Sequence, residues 1–232
     1  MEIQRREELR DLEEAMGYLF ENPTLLDRAL THKSYANEKG VGVADNERLE
    51  FLGDAVLGLV VSHLLFEVRP PLSEGTMSKI RAFLVSEQTL ERVARTFDLG
   101  RLLRLGKGED RTGGRHKASI LAGAFEALVA AIYLDGGFEL AFQFVDAIFR
   151  PILREEGAGA LERDYKTRLQ EFCQARYGRA PSYRLVGEWG PDHDKTFEVE
   201  IQLGNRTLGK GRGRNKKEAE QRAAQDALEL LG

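Results

Sequence analysis

Cysteine is almost absent from this chain, because Cys173 is the only one among its 232 residues. A single cysteine excludes a disulfide within the chain and is typical of a reducing compartment. Long apolar runs are also missing: the longest nearly apolar stretches, 55–66 and 127–134, fall short of the roughly 18 residues that a membrane span needs. The first 17 residues alternate charges and lack the apolar centre of a signal peptide. We therefore expect a cytoplasmic protein with no membrane partner.

An overall excess of positive charge is missing as well. The chain has 34 Lys and Arg against 38 Asp and Glu, a net charge of −4. The charges are unevenly distributed, however, since 164–232 holds 13 basic and 11 acidic residues, and 206–217 holds six basic residues and no acidic one. A basic patch of this kind is typical of a surface that binds nucleic acid. The excess of carboxylates in the rest of the chain needs a separate explanation.

What the first 150 residues do contain is apolar residues at helical spacing, with no strand-like alternation before residue 180. This pattern predicts an all-α domain over 1–153. The glycine-rich polar segment 107–117 predicts a loop within it. The predicted helices cover 12–20, 24–30, 46–66, 77–95, 118–134 and 139–153, with a break at Asp135-Gly-Gly137.

The pattern changes after residue 153. Residues 154–163 include glycine and alanine and predict a linker. In 196–203, apolar and polar residues alternate, which is typical of a half-buried antiparallel strand. A second domain, 164–232, is predicted with the order α-β-β-β-α. Its elements are a helix over 164–176 that Pro181 ends, strands over 182–188, 196–203 and 206–210, and a helix beginning at Asn215.

Three carboxylates share one face of the helix predicted over 46–66. At about 100° per residue, Glu47, Glu50 and Asp54 lie within one narrow arc. Like charges so close together repel, and each resists losing its water. In a helix that served only for packing, nothing would offset the repulsion and the loss of water. A divalent cation bound to the carboxylates offsets both of them. The stripe therefore indicates a metal site.

Glu126 is a second indication, since it is the only charged residue in 120–134. Its alternative explanation is an ion pair with Arg48 or Arg81, with the first stripe being an ordinary solvated face. Three aligned carboxylates on another helix favour the metal site instead. Ligation by oxygen alone points to Mg²⁺ or Mn²⁺. On a protein that binds nucleic acid, such a site indicates phosphodiester hydrolysis.

The segment 46–57 reads Asn-Glu-Arg-Leu-Glu-Phe-Leu-Gly-Asp-Ala-Val-Leu and resembles the signature of bacterial ribonuclease III. The resemblance covers essentially the whole chain, including the second domain, which looks like a double-stranded RNA-binding domain. It implies an all-α endonuclease domain that forms a homodimer through its signature helix. Further matching segments are 74–85, 103–106, 119–122, 125–129 and 133–136.

The resemblance also implies an activity. Enzymes of this family use Mg²⁺, with Mn²⁺ as a substitute, to hydrolyse double-stranded RNA to 5′-phosphate and 3′-hydroxyl ends with short 3′ overhangs. Processing of ribosomal and other structured RNA precursors is the expected role. By position, Glu50 and Glu126 match metal ligands, and Asp54 matches the residue that orders the metal-bound water. Glu47 matches a carboxylate nearer the dimer and RNA contacts, so Asp54, Glu126 and Glu47 are the expected catalytic residues.

One position departs from the family pattern. The family has Asp-x-x-Glu with both residues binding metal, whereas this chain has Gly123-Ala-Phe-Glu126. Glycine cannot coordinate a cation, and it costs a helix interior roughly 1 kcal/mol relative to alanine. We expect weaker metal affinity and slower cleavage, unless a nearby carboxylate or the RNA phosphate compensates. The competing hypothesis is a homodimer that binds double-stranded RNA without cutting it.

The second domain is expected to contact two minor grooves of an RNA duplex and the phosphates between them. Polar side chains on its first helix can bond 2′-hydroxyls and base edges, a loop can enter a minor groove, and lysines at the last helix can bind phosphates. Because 2′-hydroxyls are part of this recognition, DNA is not an expected partner. The expected RNA-binding residues are Thr167, Gln170, Glu171, His193, Lys216 and Lys217.

Overall fold

The computed structural model describes residues 3–68, 72–191 and 195–231, with the backbone alone for Ile3 and for 155–164. Contacts along the chain divide it into two units, 1–68 with 78–153 and 69–77 with 154–232. The helices are α1 (Ile3–Met16), α2 (Pro23–Ala29), α3 (Lys33–Lys39), α4 (Glu47–Phe66), α5 (Glu74–Leu84), α6 (Glu87–Thr96), α7 (Leu99–Leu102), α8 (Lys107–Arg111), α9 (Ala118–Tyr177) and α10 (Lys216–Leu231). The strands are β1 (Ser182–Trp189), β2 (Thr196–Leu203) and β3 (Arg206–Gly213).

The core of the first domain is built around α4 and the first part of α9. Leu57 and Val60 of α4 and Phe125 and Leu128 of α9 are fully buried. Each such side chain contributes about 1.5 to 3 kcal/mol through removal from water. Gly53 lets the two helices approach at their backbones, because a Cβ there would overlap the carbonyl oxygen of Glu126. This crossing brings the acidic face of α4 next to Glu126.

The same two helices have the length and apolar composition of membrane spans, namely Glu47–Phe66 and Ala118–Arg154. A search for uninterrupted apolar runs misses the apolar composition of these two helices, because Asp54 and Glu126 each interrupt an otherwise apolar helix. A buried core helix passes the same test, and much of the more apolar stretch of each helix is buried inside its domain. The fold of the first domain therefore accounts for their composition.

Predictions in the first domain were wrong at three places. The helix expected over 12–20 is α1, which begins at Ile3 and ends at Met16, before Gly17 with its φ of +67°. The helix expected over 77–95 is two helices, because Ser86 has an extended backbone and its side chain accepts a hydrogen bond from the backbone N–H of Thr89, beginning α6. The loop expected over 107–117 contains α8 and a 3₁₀ turn, Gly114–His116. Polar side chains stabilise this segment, since the Arg115 guanidinium donates to the carbonyl of Leu103 at 2.8 Å.

The predicted break at Asp135-Gly-Gly137 is confirmed. Gly137 has φ +82° and ψ −179°, a conformation that glycine adopts without strain and other residues avoid. Beyond it the α9 backbone is helical as far as Tyr177, so the predicted linker, 154–163, is helical rather than irregular. Most of its residues are good helix formers, and its two glycines cost only roughly 1 kcal/mol each.

The predicted α-β-β-β-α order of the second domain is confirmed. Its antiparallel sheet has the order β1-β2-β3, and β1 and β3 extend beyond the strands expected from the sequence. Val199 and Ile201 face the core, as the alternation predicts. Alanines of α10 pack on the sheet, and Gly211 permits this approach because a Cβ there would overlap the backbone of Ala223.

Candidate functional site

The predicted acidic residues come together in the first domain. Glu47, Glu50 and Asp54 of α4 and Glu126 of α9 line one open cavity of about 650 Å³. The sequence predicted the stripe from helical spacing alone, and the crossing at Gly53 adds the fourth carboxylate from the other helix. The cavity is thus an acidic cleft between two core helices, and we call it the acidic cavity.

Gly123 lies one turn before Glu126, directly against the carboxylate of Glu50. A Cβ at Gly123 would be 2.7 Å from Oε2 of Glu50 and 2.8 Å from its Cδ. The Glu50 carboxylate therefore occupies the space that a larger residue at position 123 would use. The missing side chain changes the arrangement of the remaining carboxylates as well as their number.

The electrostatics of the acidic cavity are repulsive. Burial raises the pKa of Glu126 to about 7, with smaller contributions from the negative charges of Asp54 and Glu50. Burial also raises the pKa of Glu50, with a further contribution from Glu47. In the described part of the chain, Glu126 has no ion pair with an arginine, and Arg81 donates to the hydroxyl of Ser62 instead. The ion-pair alternative for Glu126 is therefore not supported.

The donor set fits a hard divalent cation. Glu50 and Glu126 offer carboxylate oxygens only, and Mg²⁺ is commonly held by one or two carboxylates together with water and substrate phosphates. Across the described residues, no three His, Cys, Asp or Glu side chains lie close enough to enclose an ion by themselves. The small number of possible ligands agrees with glycine at position 123, since an aspartate there would add a further oxygen ligand.

The sequence did not predict the rest of the cavity lining. His32 lines the acidic cavity and caps α3, where its Nδ1 accepts a hydrogen bond from the backbone N–H of Ser34. Glu109 and Lys117 also line the cavity, as does Lys33. These residues come from separate segments, so no spacing within the sequence could have grouped them.

Three predicted RNA-binding residues lie on one exposed face of α9. Thr167, Gln170 and Glu171 are exposed, whereas Leu169 and Cys173 are buried in the core of the second domain. The spacing of i, i+3 and i+4 places the three polar side chains on the side of the helix away from that core. They are therefore available to a partner that lies along this helix.

Lys216 and Lys217 are exposed at the beginning of α10. The side chain of Asn215 accepts a hydrogen bond from the backbone N–H of Glu218 at 2.9 Å, which agrees with the predicted helix start. The two lysines thus add their charge to the positive end of the helix dipole. The remaining expected contact, His193, lies outside the described residues.

Comparisons with known proteins cover both domains. Residues 22–152 match the family described as Ribonuclease-III-like, and residues 165–231 match the family described as Double-stranded RNA binding motif. Ribonuclease 3 of Desulforamulus reducens is 49% identical over 226 residues, covering 97% of this chain and 92% of that protein. Ribonuclease 3 of Caldanaerobacter subterraneus is 50% identical over 221 residues, covering 95% of this chain and 97% of that protein.

A solved structure is also similar to the first domain. It is the nuclease domain of ribonuclease III from Campylobacter jejuni, described for its structural flexibility in a region involved in dimer formation. Its TM-score to this chain is 0.56 with 42% sequence identity, and the match covers 62% of this chain and 95% of that one. The match agrees with the helical architecture of the first domain.

Proposed function

The chain belongs to the ribonuclease III family, and from this membership we propose that it is a metal-dependent endoribonuclease that cleaves double-stranded RNA. The observation that carries the proposal is the acidic cavity, in which Glu47, Glu50, Asp54 and Glu126 converge within the matched nuclease region. Cleavage leaves 5′-phosphate and 3′-hydroxyl ends with short 3′ overhangs. The substrates are ribosomal and other structured RNA precursors in the cytoplasm.

Each carboxylate has a distinct part in the proposed reaction. Glu50 and Glu126 hold Mg²⁺, or Mn²⁺ in its place. When bound, the cation lowers the pKa of an attacking water and neutralises charge on the phosphate. Asp54 is exposed in the same cavity, so its carboxylate would be available to accept a hydrogen bond from the attacking water and orient it. Glu47 lies at the start of α4 and is the carboxylate nearer the dimer and RNA contacts.

Exposed apolar residues on α4 support a homodimer through the first domain. The side chains of Phe51 and Leu59 are 82% and 58% exposed, and Phe66, at the end of the same helix, is exposed as well. Phe51 and Leu59 are eight residues apart, so they lie on one face of the helix. A second copy of the chain covers this face, and each protomer then contributes one acidic cavity, one for each RNA strand.

The second domain supplies the grip on duplex RNA. Thr167, Gln170 and Glu171 contact a minor groove, His193 contacts the next one, and Lys216 and Lys217 contact the phosphates between them. Such a domain reads the shape and the 2′-hydroxyls of an A-form duplex, so DNA is not a substrate.

A second candidate function rests on Gly123. Because the chain lacks a carboxylate at this position, it can bind duplex RNA as a homodimer while cleaving it slowly or not at all. Both candidates predict tight binding that weakens as salt concentration rises. They differ in turnover.

The test is incubation of a perfect RNA duplex with the full chain and Mg²⁺, followed by analysis of product ends. The endonuclease gives short products with 5′-phosphates, and Glu126→Gln gives none. If excess protein with Mn²⁺ gives no product while Gly123→Asp cuts the same duplex, the binding function is correct and the enzymatic one is wrong. A matched DNA duplex should neither be cut nor compete.

A further inference from the structure

Two ion pairs lie on the rim of the acidic cavity. Nζ of Lys33 is 2.9 Å from Oε1 of Glu47, and Nζ of Lys117 is 2.6 Å from Oε1 of Glu109. Both lysines and both glutamates line the same cavity as Glu50, Asp54 and Glu126. Lys33 is the first residue of α3, and Lys117 directly precedes α9, so the backbone of each is held by a helix of the core domain.

Lys33 and Lys117 supply the positive side-chain charges of the acidic cavity. Of the described residues that line it, Lys33 and Lys117 are the only Lys or Arg, and they face five carboxylates. His32 adds no charge near pH 7, because burial lowers the pKa of its imidazole and outweighs the nearby negative charge of Glu109. Without its divalent cation the cavity is therefore strongly negative, and an RNA phosphate that enters it is attracted both by that cation and by positive groups at the rim.

Both pairs can be exchanged at little cost. Lys33 and Glu47 are both exposed, and an exposed pair of this kind contributes little net stability because water and salt screen it. In the second pair Lys117 is exposed while Glu109 is partly buried, so the ammonium group remains accessible to a phosphate. A phosphate offers lysine the same kind of charged acceptor as a carboxylate does. A lysine ammonium group that exchanges its glutamate for a phosphate remains hydrogen-bonded, and the RNA phosphate gains a positively charged partner.

We propose that Lys33 and Lys117 bind phosphate oxygens of the RNA strand that enters the acidic cavity, and so position its backbone beside Glu50, Asp54 and Glu126. This inference rests on the proposed function, since it assigns two RNA-binding residues to the nuclease domain itself. It extends the RNA contact beyond the second domain. Glu47 and Glu109 hold the two ammonium groups at the rim until the RNA arrives.

The test measures binding of a perfect RNA duplex to the full chain over a range of salt concentrations. Ca²⁺ replaces Mg²⁺, and the duplex is checked afterwards to be uncut. Each phosphate contact contributes about 0.9 to the slope of log Kobs against log salt concentration. Lys33→Gln and Lys117→Gln should each make the slope less steep by roughly 1, and the double variant by roughly 2. The double variant should also cleave at a higher KM with Mg²⁺.

Two controls separate charge at the rim from general effects. Lys117→Arg keeps the positive charge and should keep the wild-type slope. Lys107→Gln removes a lysine that does not line the acidic cavity and pairs loosely with Glu38 at 4.0 Å, and it should also keep that slope. Thermal unfolding of each variant, followed by circular dichroism, confirms that it is folded.

The outcomes distinguish this inference from the proposed function. If wild type binds the duplex and the double variant has the wild-type slope, the lysine assignment alone is wrong. If wild type binds but never cleaves, the enzymatic function is wrong, and the slopes still decide the role of the lysines. If wild type does not bind duplex RNA, both are wrong.

Discussion

At the scale of single residues, Gly123 determines where the carboxylate of Glu50 lies. A Cβ at this position would meet Oε2 of Glu50 at 2.7 Å, which is too close for a relaxed contact. The Glu50 carboxylate is the end of a flexible side chain, so it can rotate away. An aspartate at position 123 would therefore move Glu50 as well as add a charge. The glycine and the present position of Glu50 depend on each other.

The first prediction concerns cation affinity. Gly123→Asp supplies a further oxygen ligand, so Mn²⁺ should bind more tightly by roughly tenfold or more, the scale on which even indirect partners of a metal ligand act. Calorimetric titration of the RNA-free protein measures this. Gly123→Ala is the control, because it adds the same Cβ next to Glu50 without an oxygen ligand and should bind Mn²⁺ no better than wild type. Equal affinities for Gly123→Asp and wild type would contradict the prediction.

The second prediction concerns Glu126 and pH. Its folded-state pKa is raised to about 7 from an ordinary 4.5, so the folded protein holds this proton more tightly than the unfolded chain does. The metal-free protein therefore loses stability as the pH rises from about 4.5 through 7. Glu126→Gln removes that loss and should be more stable than wild type by about 2 kcal/mol at pH 8, after allowance for partial exposure.

Urea unfolding in the presence of a chelator measures this difference. Near pH 4, Glu126 is protonated in both the folded and the unfolded chain, so wild type and Glu126→Gln should then differ little. A gap of the same size at pH 4 and pH 8 would show that packing, rather than ionisation, causes it.

At the scale of helices, the crossing of α4 and α9 at Gly53 builds the acidic cavity. The carboxylates of α4 lie next to Glu126 because the two backbones meet without an intervening side chain. Gly53→Ala should destabilise the protein by about 1 to 3 kcal/mol, since the new methyl group cannot be accommodated unless the helices separate. It should also weaken cation binding, because Glu126 moves away from Glu50.

Gly58→Ala is the control on the same helix. Within one protomer a Cβ at Gly58 meets nothing within 4 Å, so at a dilution where the chain is monomeric this change should stabilise the helix by up to about 1 kcal/mol through the better helix propensity of alanine. Thermal unfolding of both variants tests the pair. If Gly53→Ala is as stable as Gly58→Ala, the close approach at Gly53 is not what positions the site.

The helix prediction over 77–95 failed for an instructive reason. The apolar spacing in 77–95 continues through the break at Ser86, because α5 and α6 both direct apolar residues, such as Ile80, Leu84 and Leu90, into one core. Spacing reports which residues are buried and does not reveal a short break between helices. A capping serine can reveal one, and Ser86 was the available signal.

At the scale of the whole molecule, the exposed apolar face of α4 predicts association. Leu59→Arg places a charge on this face and should convert a homodimer to monomers at micromolar concentration, because the interface would have to bury an unpaired guanidinium. Sedimentation velocity measures the mass. Leu230→Arg, at a 72% exposed position in α10, should leave the dimer intact. A wild-type protein that is monomeric throughout this range would contradict the proposed interface.

The sequence by itself determined a large part of this protein. Helical and alternating spacing predicted α4, the break before Gly137 and the α-β-β-β-α order, because these patterns depend on residues close together in the chain. Local spacing likewise predicted the stripe of Glu47, Glu50 and Asp54. The motifs indicated the family, which the comparisons confirmed.

Only the tertiary structure decided what lies across from that stripe. The overlap of Glu50 with the space at Gly123, the close approach at Gly53 and the lysine pairs on the rim join segments that are far apart in the chain. The packing of all the apolar surfaces together determines which distant segments meet. Residue spacing within one segment cannot predict these contacts. The stripe of carboxylates on α4 therefore indicated a metal site. The fold determined the shape of the acidic cavity and placed the two lysines on its rim.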